Sequence, residues 1–442
     1  MAEVLTPAEE DWSQHPDQHP HQHLSAGRLI SISAFWFATN VHWTALLLIV
    51  IPAQIAKIAG AHQATYLGLI GMIGSAMAII IPLLVGPLSD RCMSKFGRRR
   101  PFIAAGVAVN LVGLACMFSF AQAQNFWGFL AGFVIVQIGN NIATGAYQGV
   151  IPDVVSPAQR GVASGYMGLM TQLGSTVGAV TASLIFAGKY SMTYATIAVT
   201  LIVFTLINVW GLREKPLMTA PAPINWKQFI KDLWIDPRKY PDFAWVWITR
   251  ALVMFGFYTV QPFVLYYLRD VIHVENAEKD SGIMFLIILI AATITGLFGG
   301  WVSDRIGRKK IVYVANGLMA VMAFALVFCT TYMQALIVGV VFGLGYGAYV
   351  SVDWALGTDV LPSQEAAGKD MAVWHIAMVL PQTIAIPVAG FILSGFQAAT
   401  TFDKDHNIIY HYTTKGYMMI FGIAAVALAI GAVLLRNVRS AK

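Results

Sequence analysis

From Ser31 onward the chain alternates long apolar runs with short polar breaks. A helix that crosses a bilayer needs about 20 mainly apolar residues. Runs of that length recur twelve times, near 31–56, 65–87, 101–120, 125–152, 162–187, 191–212, 243–268, 281–303, 311–330, 333–361, 369–395 and 415–436. An even number of crossings returns both termini to one side. Placing them inside puts 21 Lys and Arg in cytoplasmic segments and 6 in outer ones, with Arg250 left within a span. That asymmetry is the one the positive-inside rule describes. It predicts a cytoplasmic tail at 1–27, a six-helix bundle at 28–212, a cytoplasmic linker at 213–242, a second bundle at 243–436 and a second short tail at 437–442. Trp226 and Phe229 mark an amphipathic surface helix within the linker.

Composition narrows the class in the same direction. Of 442 residues, 57% are hydrophobic and 11% charged, against roughly 25% charged for soluble domains. Such a chain cannot clothe a soluble surface of this size, whereas a bilayer accepts helices that are apolar all round. The net charge of +6 follows from the loop asymmetry and does not call for a nucleic-acid partner. Cys92, Cys116 and Cys329 are far apart and form neither a CxxC pair nor a metal spacing. The polar first 27 residues lack the apolar core of a cleaved signal. Their His15, His19, His21 and His23 belong to a flexible tail rather than to a metal site. No metal or cofactor is expected.

The chain also repeats itself. Gly86-Pro-Leu-Ser-Asp90-Arg91 and Gly97-Arg98-Arg99-Arg100 follow the second span; Gly300-Trp-Val-Ser-Asp304-Arg305 and Gly307-Arg308-Lys309-Lys310 follow the eighth. Asp153-Val-Val-Ser-Pro157 after the fourth span is echoed by Asp359-Val-Leu-Pro362 after the tenth. Two parallel repeats of six spans suit a machine whose halves rock about a central site. In this pattern residues 28–440 resemble the major facilitator superfamily. An Asp-Arg-Gly-Arg loop lets carboxylates and guanidinium groups cap helix ends and pair across the cytoplasmic face. Asp90, Arg91, Arg98, Asp153, Asp304, Arg305, Arg308 and Asp359 are therefore the expected gating residues.

His42-Trp43 followed by Pro52, Asp90-Arg91 through Gly97-Arg-Arg-Arg-Pro101-Phe102, and Asn140-Asn141 followed by Gly145 and Asp153 are similar to the sucrose transporter branch of the glycoside, pentoside and hexuronide cation symporters. That resemblance implies a monomer in the plasma membrane that takes up a sugar with a proton. In that branch an acidic residue stands three positions before the Asn-Asn pair and an arginine seven after it. Here both places hold neutral Gln137 and Gln148, so a proton site in span four would lack its carboxylate.

The resemblance also implies that spans one, four, seven and ten face the cavity. Gln137, Asn141, Thr144 and Gln148 recur at i, i+4, i+7 and i+11, one stripe of a helix, with Asn140 beside it. Neutral amides both donate and accept, which suits hydroxyl-rich ligands; the same residues also serve hydrogen bonds between packed spans. Asn40 and Trp43 in span one, Tyr258 and Gln261 in span seven, Tyr346 in span ten and Gln382 in span eleven complete the candidate contacts. Gln172 and Ser175 share a face of span five as weaker ones. Arg250 and Asp353 are the deepest charges, both roughly 10 to 12 Å from the cytoplasmic end at 1.5 Å per residue, and each needs a partner. Their matching depth predicts an ion pair whose protonation couples to rocking, with His42 and His375 as further titratable candidates.

The sequence reading is a sugar or glycoside transporter driven by protons. An exporter of drugs or amphipathic metabolites and a non-transporting membrane sensor are the alternatives. Among intramembrane enzymes, neither HExxH nor GxSxG motifs nor clustered acids support a catalyst.

Overall fold

The computed structural model describes residues 24–156, 159–214, 217, 224–232, 234–360, 367–402 and 408–438. The expected tails at 1–27 and 437–442 lie mostly outside these residues, and the linker at 213–242 is described only in part. Helices dominate because a backbone in lipid must satisfy its own hydrogen bonds.

In chain order the helices are α1 (Ala26–Ala45), α2 (Ile51–Ile58), α3 (Gln63–Asp90), α4 (Arg100–Gln122), α5 (Phe126–Tyr147), α6 (Val150–Val154), α7 (Arg160–Val180), α8 (Tyr190–Gly211) and α9 (Trp226–Asp232). The second half holds α10 (Pro241–Val260), α11 (Val264–Asp270), α12 (Ala277–Ile306), α13 (Arg308–Ala325), α14 (Tyr332–Asp359), α15 (Ala367–Val379), α16 (Gln382–Ser394) and α17 (Thr414–Leu434). Eleven helical segments are long and apolar enough to cross a membrane. The remaining crossing is α7 with the π-helical turn Thr181–Ile185; its Gly, Ser, Thr and Gln lower its hydropathy without shortening it.

Several spans are broken where the backbone chemistry demands it, among them those in which Pro262 and Pro381 predict a kink. Span one passes through a π-helical turn at Leu46–Val50 just before Pro52. Span seven tightens into a 3-10 turn at Gln261–Phe263 around Pro262. The eleventh divides at Leu380-Pro381 into α15 and α16. Proline lacks the N–H that would continue the ladder and clashes with the preceding turn. Span four, expected to reach 152, ends at Tyr147, and the short α6 follows.

The two halves pair their spans in the same way. In the first, α1 packs on α7 and α8, α3 on α5, and α4 on α5 and α8; in the second, α10 packs on α16 and α17, α12 on α14, and α13 on α14 and α17. The α4–α5 contact is glycine-mediated: a Cβ on Gly106 would stand 2.6 Å from the Gly139 carbonyl oxygen, so only glycine permits this approach. Gly97 and Gly307 occupy equivalent turns with φ of +102 and +98, a left-handed conformation that glycine adopts without penalty. Thus the sequence repeat is also a repeat of backbone geometry.

The halves meet through α3 against α16 and through α12 against α7. On the face opposite the chain ends the contact is continued by hydrogen bonds. Tyr266 Oη donates to the Pro52 carbonyl at 2.8 Å, and Gly188 N and Tyr190 Oη donate to the two oxygens of Glu278 at 3.0 and 2.5 Å. A short antiparallel pair, β1 (Thr401–Phe402) with β2 (Ile408–Ile409), lies between α16 and α17; the hydrophobic pattern did not signal it. The segment around it bridges the halves. Gln63 Nε2 donates to the Tyr410 carbonyl at 2.7 Å, Ala64 N to Tyr412 Oη at 3.0 Å, and Gln397 Nε2 to the Ala61 carbonyl at 2.8 Å. Buried Asp270 organises this cap by accepting from Arg269 Nε (2.7 Å), Tyr412 N (3.1 Å) and Tyr417 Oη (2.7 Å) and by meeting His411 Nδ1 at 2.8 Å. The face opposite the chain ends is closed.

Candidate functional site

Two adjoining cavities lie between the halves. The larger, about 500 Å³, touches Asn40, Trp43, Ser175, Tyr258, Gln261 and Tyr346 along its polar edge. The smaller, about 230 Å³, contains Ser75, Gln137, Asn141, Gln261 and Gln382. Trp43, Leu47, Tyr258 and Gln261 line both. Together they have the size of sites that take small organic ligands, ≈ 300–1,000 Å³.

The stripe on span four divides. Gln137 and Asn141 line the smaller cavity. Asn141 Nδ2 donates to the Gln137 carbonyl at 2.8 Å and to Gln137 Oε1 at 2.9 Å. That bond locks the two amides together while the Gln137 amide nitrogen and the Asn141 amide oxygen retain hydrogen-bonding capacity. Asn140, Thr144 and Gln148 line neither cavity. Asn140 is buried, Thr144 Oγ1 turns back to the Asn140 carbonyl at 2.9 Å, and Gln148 is an exposed C-cap beyond the end of α5. Gln148 leaves the expected stripe because the helix stops at Tyr147.

Asn40, Trp43, Tyr258, Gln261, Tyr346 and Gln382 all reach a cavity wall. Asn40 is already engaged: its Nδ2 donates to the Trp36 carbonyl at 2.8 Å and its Oδ1 accepts from Ser175 Oγ at 3.4 Å. Gln172 reaches across the halves to hydrogen-bond Thr293. The apolar wall contributed by Met284, Phe285, Ile288 and Leu289 of α12 was not among the sequence candidates, because nothing distinguishes cavity-facing from lipid-facing leucines and isoleucines in a run apolar on every side.

Arg250 and Asp353 form the ion pair that their depth implied. Each is 5% exposed. Asp353 Oδ1 also accepts from Tyr349 Oη at 2.8 Å, and the Arg250 guanidinium lies 4.6 Å from the ring centre of Trp374. A buried charge pair is tolerable only with such additional partners. Two turns away along the same helix pair, Phe257 stacks on Tyr346 at 4.7 Å and 15°. Phe257 follows Arg250 by seven residues and Tyr346 precedes Asp353 by seven. On antiparallel helices these are successive rungs, roughly 10 Å apart, one at the cavity and one at the charge pair.

His42 does not join this assembly, whereas His375 stands within the electrostatic reach of Arg250. His42 is 0% exposed, packs edge-on against Trp43 at 4.5 Å and lines neither cavity. Its imidazole faces the amide of Asn110, which is likewise 0% exposed. His375, next to Trp374 on α15, is exposed and lines neither cavity.

At the face bearing the chain ends the hub is Arg99, a residue the sequence reading passed over in favour of Arg98. Arg99 pairs with Asp90, and its Nε donates to Asp153 at 2.9 Å and its Nη1 to Ser89 Oγ at 2.5 Å. Arg98 adds a longer contact to Asp153 at 3.4 Å. Glu214, just past α8, accepts from the backbone N–H of Arg99 (3.0 Å) and Arg100 (3.2 Å), capping α4. Burial pushes the Glu214 carboxyl up, opposed by those backbone donors. Burial alone would lower Arg99, but Asp153 and Asp90 outweigh it and hold its pKa above the ordinary value. All of these bonds join elements of the first half, so this cluster ties one bundle together. Arg91 Nη1 turns back to the Pro87 carbonyl at 3.2 Å. Arg305 ends α12 and Arg308 begins α13 at the equivalent turn. The side chains of Asp304 and Asp359 lie outside the described residues.

The sequence pattern that defines the Major Facilitator Superfamily matches residues 29–380 and 280–442. The chain belongs to that superfamily. It is a multi-pass membrane transporter, not an enzyme. It is similar to sucrose transport protein SUC4 of Arabidopsis thaliana, 24% identical over 287 residues, which cover 56% of this chain and 55% of that protein. It is also similar to sucrose transport protein SUT2 of Oryza sativa subsp. indica, 22% identical over 401 residues, covering 72% and 78%. The same fold appears in the nucleoside transporter NupG (D323A mutant), with a TM-score of 0.70 at 13% identity over 93% of this chain and 99% of that one. A D-xylose-proton symporter gives a TM-score of 0.64 at 16% identity, covering 91% and 96%.

Proposed function

We propose that this transporter carries a saccharide by alternating access and couples its movement to protons. The observation that carries the reading is the convergence of Gln137 and Asn141 from the first half with Gln261 and Gln382 from the second on one small cavity. Neutral amides contributed by both halves satisfy hydroxyls as donors and acceptors, and a ligand held by both halves biases their relative position. The sucrose transport proteins among the relatives support the same substrate class.

In this reading Asp353 is the proton acceptor. Protonation removes the charge that holds Arg250, loosening the α10–α14 contact one rung away from Tyr346. Both termini are cytoplasmic in a plasma-membrane monomer, with bundles at 28–212 and 243–436. Closure of the opposite face then makes the described conformation inward-facing.

The test is internal pH in proteoliposomes as sucrose, maltose, other glycosides and hexoses are added outside one at a time. Acidification with one saccharide, lost in Asp353→Asn while exchange of that labelled saccharide persists, is the expected result. Intact uphill uptake in Asp353→Asn rejects the coupling role, and no entry of any saccharide rejects the substrate class. A proton-driven exporter of amphipathic compounds is the second reading, favoured by the apolar wall of the larger cavity.

A further inference from the structure

Arg250 has a further partner, and it stands on a third helix. Asp353 of α14 holds the guanidinium through Nη1, while the ring centre of Trp374 on α15 lies 4.6 Å from the guanidinium carbon. Trp374 is 0% exposed and wedged between the two helices that carry the charges. On α10 it meets Phe243, with ring centres 6.2 Å apart, and on α14 a Cβ at Gly357 would stand 2.6 Å from its Cε2. The indole N–H has no hydrogen-bond partner among the described residues. A buried tryptophan ordinarily places that N–H on an acceptor. Here it is the face of the ring, turned to a cation, that the position uses.

α15 is also tied to α10 directly, since Trp247 Nε1 donates to the Val373 carbonyl at 2.9 Å. From Trp374 the chain leads through the break at Pro381 to Gln382, which opens α16 and lines the smaller cavity. α16 is the helix that meets α3 of the other half. The other titratable groups that act on Arg250 are Tyr258 on α10, Tyr346 and Tyr349 on α14 and His375 on α15. None of these residue types is an anion near neutral pH. When Asp353 takes a proton, the guanidinium therefore keeps no carboxylate among the described residues. A cation left alone inside a span is costly, and tryptophan offers the best cation-binding face of any aromatic side chain.

We infer that Trp374 is a positioning residue of the coupling site: it holds Arg250 while Asp353 is neutral, so that the cation released by α14 passes to α15, the helix that leads into Gln382. This rests on Asp353 as the proton acceptor, the reading above, and adds where the guanidinium goes. With Asp353 ionised, the carboxylate fixes Arg250 and the ring contributes little. With Asp353 protonated, the ring is the partner that remains. Trp374 thus favours the protonated state, and without it the proton should bind only at lower pH.

The experiment is exchange of labelled sucrose, maltose or methyl glucoside, whichever the parent takes up, in proteoliposomes held at equal pH inside and outside across a pH series. Exchange by the parent should fall as rising pH strips the proton from Asp353, and exchange by Asp353→Asn should be flat with pH. Trp374→Leu should move the midpoint to lower pH by about half a unit or more, and Trp374→Phe by less, because a phenyl face attracts a cation more weakly. Neither substitution should restore pH dependence in the Asp353→Asn background, and both shifts should persist in the His375→Gln background. A residue that only packs would scale the rate at every pH and leave the midpoint in place. An unmoved midpoint in Trp374→Leu therefore overturns the inference while the coupling reading stands. A shift lost with His375→Gln belongs to the neighbouring histidine and overturns it equally. Should Trp374→Leu fail to reach the membrane, Trp374→Phe decides by the same criterion. Exchange flat with pH in the parent, or a parental pH dependence kept by Asp353→Asn, overturns the coupling reading and this inference with it, as does uptake of none of the three saccharides.

Discussion

Asp353 and Glu214 are two carboxylates with opposite settings. Asp353 is held inside a span by Arg250 and Tyr349. Removing Arg250 leaves that charge buried and unpaired, a loss of about 3–5 kcal/mol. Arg250→Ala should therefore unfold at clearly lower temperature than the parent in detergent. Arg250→Ala with Asp353→Asn should recover much of the loss, and equal melting of the single and double variants would contradict the pairing. Glu214 works outside the bilayer as a cap for the first turn of α4. Losing a cap costs about 0.5–2 kcal/mol, so Glu214→Ala should lower the melting temperature by a few degrees, with Glu214→Gln closer to the parent because it keeps an acceptor. Burial raises the Glu214 pKa, so the folded protein holds this proton to higher pH than the unfolded chain does. Its contribution to stability is therefore greatest below the unfolded value and falls as pH rises through the folded one; Glu214→Gln should flatten that part of a melting-temperature profile.

Single residues matter to elements mainly where the elements touch. Gly106 on α4 lies against the backbone of α5, and Gly68 on α3 lies where a Cβ would stand 2.8 Å from the Pro387 Cα of α16. The first contact is internal to a bundle and the second joins the two. Gly106→Val should mostly reduce the yield of folded protein. Gly68→Val should act on the moving joint, lowering transport more than stability; measuring melting temperature and uptake on the same preparation separates the two. An equal loss of stability in both variants would mean that the α3–α16 contact is as static as the one inside the bundle. The prolines explain the breaks in spans one, seven and eleven, and the breaks have a use, since Gln261 and Gln382 stand beside them. A helix interrupted at the cavity presents side chains that a straight one of the same sequence would hold at another angle.

Across the whole molecule, the closed face is a distributed seal. Tyr266 to Pro52, Gln63 to Tyr410, Gln397 to Ala61 and Glu278 to Tyr190 all cross from one half to the other, and buried Asp270 shapes the segment that makes two of these bonds. Weakening the seal should shift the population toward opening on that side. With the native cysteines replaced, a reporter at Leu47→Cys in the cavity should react several-fold faster with an impermeant maleimide applied to that face when Gln63→Ala or Asp270→Asn is present. An unchanged rate in both would show that the seal resides elsewhere.

Twelve spans, their loop charges and the doubled Gly-Arg turn were legible in the sequence because each follows from local chemistry: the length of hydrocarbon to be crossed, the cost of moving cations through it, and a backbone turn only glycine accepts easily. The Arg250–Asp353 pair was legible for a similar reason, since two lone charges at equal depth have few other partners. Tertiary structure decided which polar residues reach a common space. Gln148 was set apart from Gln137 and Asn141 by where α5 ends and Thr144 by its bond back to the Asn140 carbonyl, His42 was enclosed by packing, and Arg99 displaced Arg98 as the hub because only its side chain lies between Asp90 and Asp153. The apolar wall of the larger cavity was beyond the reach of sequence altogether. In lipid, the residues that face neighbours, cavity and bilayer are drawn from the same apolar set, and only the fold tells them apart.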